Sequence, residues 1–381
     1  GGDFRVGKSL QTIKGAINAS PVFTPIRRRS GKTDKAIGYV QDETVSIDYQ
    51  GQEQIQDTKE LTISVEASFV KQSVDMLIES IYASEVIFTD TDTSFAALAD
   101  GYTVSSDAYA ALAVGDGFWI SGFSVSAADG FAIVASKEAS NKIVTTIAPG
   151  ATDAAGDSVT LEFSRYTNSN NAYFSAFQTR ATDFSQPDDI NYHTIFDAIP
   201  NNFSAEIGET GIISATADYV AEHDVAGTLA IAGQTYAPAQ SDRPLSAVQN
   251  VKNFFVNGLI ATCKMKSLSL QVALNQQGDD AAACTKFFTR GAFAVSGSTV
   301  VRSMKSNPFI WRNYCWEGTR VSIAVLLDHG GGDQTYIVVP QVVVTEAPQD
   351  DGNNAIANTQ ASFTAEGDAV SNSTIRVYKN W

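Results

Sequence analysis

The sequence predicts a mostly β protein: two β domains, a flanking α-helix on the first, and a small β domain inserted within it. Three observations carry this prediction. Of 381 residues only 18% are charged, while Phe 21 and Tyr 13 far outnumber Met 3; aromatics at low charge suit sheets better than helical bundles. Apolar and polar residues alternate with period two in many separate runs. One segment, 89–165, changes texture to Ala, Ser, Asp and Gly between short β runs.

Taken in order, residues 1–40 read as an N-terminal arm with few core positions. Val45, Ile47 and Tyr49 alternate with Ser46 and Asp48. Leu61, Ile63, Val65, Ala67 and Phe69 alternate with Thr62, Ser64, Glu66 and Ser68. The two runs predict a hairpin with a long connection through Gly51. Val74, Leu77, Ile78, Ile81 and Tyr82 recur at helical spacing, with Gln72, Asp75 and Glu79 opposite, so a helix over Lys71–Ala83 should lie on one sheet. The first domain comprises 41–88 and 166–225, interrupted by the insert at 89–165. Turn signals such as Gly115-Asp116-Gly117 and Asp129-Gly130 punctuate the insert. Residues 226–250, rich in Gly, Ala, Pro and Gln, read as a linker, and 251–381 form the second domain.

A faint duplication relates the two halves. Thr58–Leu61 opens a strand followed by an apolar helical stretch. Thr285–Phe288 opens a strand too, followed by Ser303–Trp316. Each half returns through a Tyr-led strand and a proline to a late alternating strand: Tyr192, Pro200, Ile213–Tyr219 and Tyr336, Pro340, Ala361–Ala365. Pro340 predicts a bulge or an edge in its strand.

Charge is blocked. Residues 1–40 carry eight basic and two acidic side chains, whereas 41–240 are strongly acidic and 241–345 carry ten basic and six acidic. The net charge of −16 argues against a general nucleic-acid binder or a binder of anionic membranes. No apolar run reaches the roughly 18 residues of a membrane helix. The stretch GGDFRVGKSL lacks the apolar core of a signal peptide, so a cytoplasmically made, soluble product is expected. Arg27-Arg28-Arg29 is the sharpest charge feature. A contact between subunits, a solvated loop and a nucleic-acid patch are all open to it; the acidic chain that follows favours the first.

Catalytic equipment is sparse. No GxGxxG, P-loop, HExxH, GxSxG or EF-hand loop is present. Asp188-Asp189, Asp279-Asp280 and Asp350-Asp351 sit in turn-like sequence and read as solvated turns rather than catalytic pairs, which need burial to split their pKa values. Cys263, Cys284 and Cys315 are too few for a four-Cys zinc site, and His193, His223 and His329 are scattered. No catalytic, cofactor or metal residue is therefore assigned, and no enzyme is predicted. Gly330-Gly331-Gly332 reads as a hairpin tip, and Phe309, Trp311, Tyr314 and Trp316 as an aromatic cluster.

The order of these pieces resembles the major tail tube protein of siphophages, the long non-contractile-tailed bacteriophages, in its two-domain form. Phe23-Thr24-Pro25-Ile26-Arg27-Arg28 fits the family's "TP-x-[FWL]-x-x-[LI]-R" segment loosely. The run from Val65 into Ser73-Val74-Asp75-Met76-Leu77-Ile78-Glu79 is similar to the family's β run before "YDDLLEA", sharing Asp75, Leu77 and Glu79. Trp119 to Val134, with Gly122-Phe123, Ala127 and Gly130, is similar to its "W-x-x-V-x-GF-x-x-A-x-x-G-x-F-x-V" insert. Tyr192, Phe196 and Asn202 fall in its "Y-x-x-F-x-G-x-x-x-N" passage, without the Gly, and Ile375–Lys379 matches its closing "I-x-[VI]-x-R". Ordered co-occurrence, rather than any one motif, carries the likeness.

The resemblance implies two tail-tube-type β-sandwich domains whose strands join across subunits into a barrel around a lumen. It implies a virion protein, assembled in the host cytoplasm, that stacks as rings with other tail proteins and passes DNA without binding it. On that reading Ser64, Glu66 and Ser68 face the lumen, Arg27, Arg28 and Arg29 touch the next ring, and residues 89–165 decorate the outer wall. Second-half lumen positions are expected near Arg290 and Gln341. If both halves supply a tube domain, three chains make a pseudo-sixfold ring; a hexamer with a peripheral second half is the rival. The alternative class is a secreted or surface adhesin or carbohydrate-binding module, which would want an export signal and exposed aromatic platforms. A hydrolase on a β scaffold lacks a nucleophile–base pair.

Overall fold

The computed structural model describes residues 2–26, 28–41, 54–171, 173–183, 186–238, 241–261, 265–279, 287–289, 291–302, 311–350, 358–368 and 373–381. In chain order the first half runs β1 (Gly2–Gln11), β2 (Val22–Pro25), β3 (Arg28–Gln41), β4 (Gln54–Ser68), α1 (Lys71–Ser80) and β5 (Ser84–Asp92). The insert contributes β6 (Ala96–Ala97), β7 (Gly101–Thr103), β8 (Gly117–Ser121), β9 (Gly130–Ala139) and β10 (Lys142–Thr145). Then come β11 (Val159–Thr167), β12 (Phe174–Asp183), β13 (Gln186–Ile207), β14 (Ser214–Ala221), β15 (His223–Gly227) and β16 (Thr235–Tyr236). The second half holds β17 (Val251–Val256), β18 (Leu259–Ile260), β19 (Met265–Ala273), β20 (Gln277–Asp279), β21 (Phe287–Thr289), β22 (Ala294–Arg302), α2 (Trp311–Glu317), β23 (Arg320–Gly330), β24 (Asp333–Glu346), β25 (Gln349–Asp350), β26 (Asn358–Ala365) and β27 (Arg376–Lys379).

The fold is mostly β, as composition and alternation predict, and its two halves repeat one topology. In the first, β3, β4, β14 and β13 lie side by side, all antiparallel. In the second, β19, β22, β26 and β24 do the same. In chain order each set reads strand one, strand two, helix, strand three, strand four, and in space one-two-four-three. Each third strand is long and serves two sheets. β13 pairs with β12 and β15 early and with β14 late, switching at Asp197–Ile199. β24 pairs with β27 up to Val338 and with β26 from Val342. The switch falls on Pro340, where a missing N–H costs no ladder bond, and a register shift between Val321 and Ile323 opposes it. Pro200 sits at the matching shift in β13. Each half is thus a sandwich whose two sheets share a corner-turning strand.

The halves are fused. β13 pairs antiparallel with β19 from Asn202↔Ala273 to Ile207↔Leu268, so the two four-stranded sheets become one of eight. Leu61, Ile63 and Val65 of β4 share one core with Leu268, Leu270 and Val272 of β19 and with Val342 and Val344 of β24. Fully burying each Leu, Ile or Val side chain contributes about 1.5–3 kcal/mol.

Several parts of the first half differ from the sequence reading. The strand partner of β4 is β3, and Val45, Ile47 and Tyr49 lie outside the described residues. Residues 2–11, expected in an arm, pair along their length with β12, and residues 22–25 pair with β1 and β16. The segment read as a linker packs back on the first half: Leu245 is buried and its N–H donates to the Phe69 carbonyl at 3.0 Å. Helix α1 buries Val74, Leu77, Ile78 and Ile81 as its spacing requires, yet Gln72 and Glu79, expected toward solvent, are buried too. The reason is β1, which covers that flank. Lys8 ion-pairs with Glu79, each side chain 8% exposed, and the Tyr219 hydroxyl donates to Glu79 Oε2 at 3.4 Å.

The second half departs in two places. Phe287-Phe288, read as opening the strand before the second helix, pair with β20 in a small separate hairpin; the equivalent of β4 is β22. The aromatic cluster is smaller than expected. Trp311 is buried against Tyr314, ring centroids 6.0 Å apart, whereas Trp316 is 92% exposed and Phe309 lies outside the described residues. Residues five apart on a helix point about 140° away from each other, so one core cannot hold both. Gly331 and Gly332, with φ of +71° and +99°, close the β23–β24 hairpin as a primed two-residue turn requires.

The insert packs as a third layer rather than as a free-standing lobe. Its apolar residues, Phe95, Tyr102, Phe118 and Phe123 among them, form one cluster with Phe255, Ala324, Leu326, Tyr336, Val338 and Tyr378 of the second half. At the junction lies Asp116, fully buried. It accepts hydrogen bonds from Arg165 Nη1 at 2.7 Å, the Tyr378 hydroxyl at 2.7 Å and the Ala113 N–H at 2.9 Å, and it ion-pairs with Arg376. Burial and the Asp116 charge hold the Tyr378 phenol well above its usual range.

Two predictions follow from this packing. Replacing Asp116 by Ala takes the nearest carboxylate from the Arg376 guanidinium, 4% exposed, which keeps Asp368 at 3.1 Å; urea unfolding should show a loss of about 1–3 kcal/mol, and a loss under about 0.5 kcal/mol would contradict the network's role. The second concerns pH. His329 donates to or accepts from Thr335 Oγ1 at 2.8 Å and lies against the Trp381 ring at 4.7 Å. Burial, aided by the Lys71 charge, lowers its pKa from 6.5 to about 4, although Asp242, Asp333 and Asp328 face it and oppose the shift. Between these values the unfolded chain binds the extra proton, so this contribution to stability is complete above pH 6.5 and falls away toward pH 4. Thermal melts across that window should flatten in His329→Gln; an unchanged slope would assign the pH dependence elsewhere.

Candidate functional site

The outward face of the eight-stranded sheet is the most extended feature of the molecule. Strand alternation sends Leu, Ile, Val and Ala inward, so every second residue must point away from the core. Register then aligns these residues into rows. One row runs from Glu66 to Thr216, Ser204, Gln271, Ser296 and Thr364 across β4, β14, β13, β19, β22 and β26. A second runs from Ser68 to Ser214, Glu206, Ser269, Ser298 and Ser362 over the same strands. Both rows cross the junction between the halves without interruption.

The rows are made mostly of short hydroxyl side chains, with Glu66 and Glu206 as their described charges, and Asp218 lies beside them opposite Ser64 and Asn202. Side-chain hydrogen bonds link them across strands. Ser64 Oγ donates to Asp218 Oδ1 at 2.6 Å, Asn202 Nδ2 to Asp218 Oδ2 at 3.4 Å, and Gln271 Nε2 to Asn202 Oδ1 at 3.5 Å. This chain spans β4, β14, β13 and β19. Basic side chains sit at the margins: Lys266 pairs with Glu209 at 2.8 Å, and Arg302 ends β22. On β3, Lys32 is opposite Ser64 in register and Ser30 opposite Glu66. The described side chains of this face offer hydrogen bonding along its length, with their basic groups confined to its margins. Its carboxylates repel phosphate, and its small side chains lose little entropy when ordered.

The three positions singled out on β4 all lie on this face: Ser64 and Glu66 half-buried, Ser68 buried near the α1 end. Arg27 lies outside the described residues. Arg28 starts β3 opposite Ala67, and a register shift falls between Arg28 and Ser30. In the second half the expectation near Arg290 falls outside the described residues. Gln341 instead turns the corner of β24, donating to Glu366 Oε2 at 3.2 Å. The second-half members of the rows are Ser269, Gln271, Ser296, Ser298, Ser362 and Thr364. Their signal was the polar alternate of the Leu268–Leu274 and Ala361–Ala365 runs. Of the paired carboxylates, Asp188-Asp189 lie within β13 rather than in a turn, because the β12–β13 connection is only two residues long.

Among the described residues, the eight-stranded sheet has an unpaired edge at each end. β3 pairs with β4 alone, and its other edge has no strand partner among the described residues. At the far side β24 is covered by β23 only as far as Val343, leaving the edge that continues into β25. No helix of the described residues is long and apolar enough to cross a membrane.

Reversing the charge of the face should change its chemistry without harming the fold. Ser298→Lys with Ser362→Lys, both half-exposed, should retain the wild-type melting temperature within about 2 °C. The double variant should acquire salt-sensitive retention on heparin that the wild type lacks. Retention of the wild type itself would contradict a repelling face.

A family profile described as phage tail tube protein matches residues 33–367. No curated protein matches the chain.

Proposed function

Because this chain belongs to the phage tail tube protein family, we propose that it assembles as stacked rings of three copies, with the polar sheet face lining the channel through which DNA is delivered to the host. Family membership makes it a structural, self-assembling component of the virion tail.

One observation carries the reading: the β13–β19 junction. It joins the third strand of one repeat to the first strand of the next. The third strand of the second repeat is β24, and the first strand of the first repeat is β3; these are the two open edges. A second copy that docks its β3 on β24 reproduces, between chains, the antiparallel contact already present within one. Eight strands per chain and three chains give 24 strands and six repeats, closing the barrel with no free edge. The duplicated topology favours three chains over the hexameric alternative, because six copies would bring twelve repeats.

Layer order supports the rest. The polar face lies on one side of the main core, and the insert lies beyond the second sheet on the other. A channel lined by the first puts residues 89–165 on the outer wall. An acidic, hydroxyl-rich wall lets duplex DNA of like charge slide without tight phosphate contact. Ser64, Glu66 and Ser68 are its first-half lining. Arg27, Arg28 and Arg29 are proposed to contact the acidic surface of the adjoining ring, Arg28 being the first residue of the edge strand β3. The adhesin reading has no comparable support, since no aromatic platform occupies the polar face among its described side chains.

Symmetry analysis of tubes or rings by electron microscopy tests the proposal. Three chains per ring with apparent sixfold density is the expected result. Six chains per ring would overturn it.

A further inference from the structure

We infer that Asp197, Glu222 and His223 form a binding site for a divalent transition-metal cation of the Zn²⁺ class at the corner of the first sandwich. Nothing in the tube reading requires this site. The three residues each offer a ligand atom, and these atoms lie within 4.8 Å of one another. Asp197 stands where β13 changes partner; Glu222 and His223 bridge the end of β14 to the start of β15.

The arrangement is built rather than incidental. Asp197 is 1% exposed. Its Oδ1 is satisfied by Gln11 Nε2 at 3.0 Å and the Gly15 N–H at 2.9 Å. Its Oδ2 is buried without a hydrogen-bond partner, and so is His223 Nδ1. These two atoms are 3.0 Å apart, close but out of hydrogen-bond alignment. A carboxylate oxygen and an imidazole nitrogen this close need a positive charge between them, from a proton on Nδ1 or from a bound cation, and the missing hydrogen-bond alignment favours the cation. The edge of a tetrahedron with metal–ligand bonds of about 2.0–2.1 Å is about 3.3 Å, near this spacing. Glu222 repeats the pattern. Lys14 Nζ at 2.7 Å and the Phe288 N–H at 3.3 Å both bond its Oε1, leaving Oε2 for a ligand. Phe196 stacks on the His223 ring, centroids 5.0 Å apart at 17°, which fixes the imidazole plane. Outer partners that orient each ligand are the usual support of a metal site.

The donor set decides the class of cation. One imidazole with two carboxylates suits Zn²⁺, Co²⁺ or Mn²⁺, whereas Ca²⁺ prefers six or more oxygens. The matching corner of the second half shows what the same scaffold does without a metal. There Glu366 follows β26 as Glu222 follows β14, but its carboxylate is taken by Arg320 at 2.9 Å and Gln341 at 3.2 Å. A cation at the first corner would pin the 12–16 turn, through Gln11 and Gly15, to the strand junction.

The test titrates the full chain, first stripped with chelator, with Zn²⁺ by calorimetry and with Co²⁺ by visible absorption. One Zn²⁺ per chain and a Co²⁺ d–d band are expected, with no response to millimolar Ca²⁺. His223→Ala and Asp197→Asn should each weaken Zn²⁺ binding at least tenfold while keeping the wild-type circular dichroism spectrum; Asn tolerates the φ of +55° at position 197. His193→Ala, which alters a neighbouring His–Asp224 pair, should bind as the wild type does. Absence of stoichiometric Zn²⁺ binding by the wild type overturns the site, as does binding within twofold of wild type in both ligand variants.

Discussion

The backbone pairing between β13 and β19 is the contact on which the rest of the architecture depends. A four-stranded sheet with one apolar face leaves two edges of unpaired N–H and C=O groups, and exposed edges recruit other strands. Here one edge of each repeat is consumed within the chain. That pairing merges two cores into one, aligns the polar rows of both halves and leaves one free edge at each end of an eight-stranded sheet. On the proposed reading, assembly repeats between chains the contact that folding has already made within one.

Long strands that bend through two sheets make this possible, and buried charges hold the bends. β24 turns at Pro340, and β13 turns beside Asp197 and Pro200. Around these corners the second layer is locked by ion pairs rather than by apolar contact alone: Lys8 to Glu79 between β1 and α1, and Asp116 to Arg165 and Arg376 between the insert and β27. Breaking one partner of such a pair costs more than the pair contributes, so each network enforces its alignment. On the polar face the described contacts are side-chain hydrogen bonds such as Ser64 to Asp218 rather than a buried ion-pair network. The serines and threonines of this face are held by the ladder beneath them, which suits a surface past which something moves.

Much of the fold was legible in the sequence because its signals are local. The alternation of Leu61 to Phe69 gives both the β4 strand and its polar face, and the spacing of Val74, Leu77, Ile78 and Ile81 gives α1. The tyrosine-to-proline passage common to both halves marks the corner-turning strands. What was not legible depends on long-range pairing. Nothing in residues 265–273 says that they meet residues 202–207. Asp116 sits in a Gly-Asp-Gly turn signal, and its burial becomes visible only when Arg376, 260 positions later, arrives beside it. Glu79 looked solvent-facing because the strand that covers it lies about seventy residues earlier. The Asp197–Glu222–His223 trio was missed for the same reason, Asp197 being brought beside the adjacent pair Glu222-His223 only by the strand pairing of β13.

The central claim is that the open edges of β3 and β24 are the two halves of one seam. Amide hydrogen exchange on unassembled protein and on assembled tubes tests it directly. The outer-edge amides of residues 28–41 and 344–350 should exchange freely before assembly and become protected after it, while the amides of 202–207 and 268–273 stay protected throughout. Tubes in which residues 28–41 and 344–350 still exchange as fast as in the free chain would show that the rings close by some other contact.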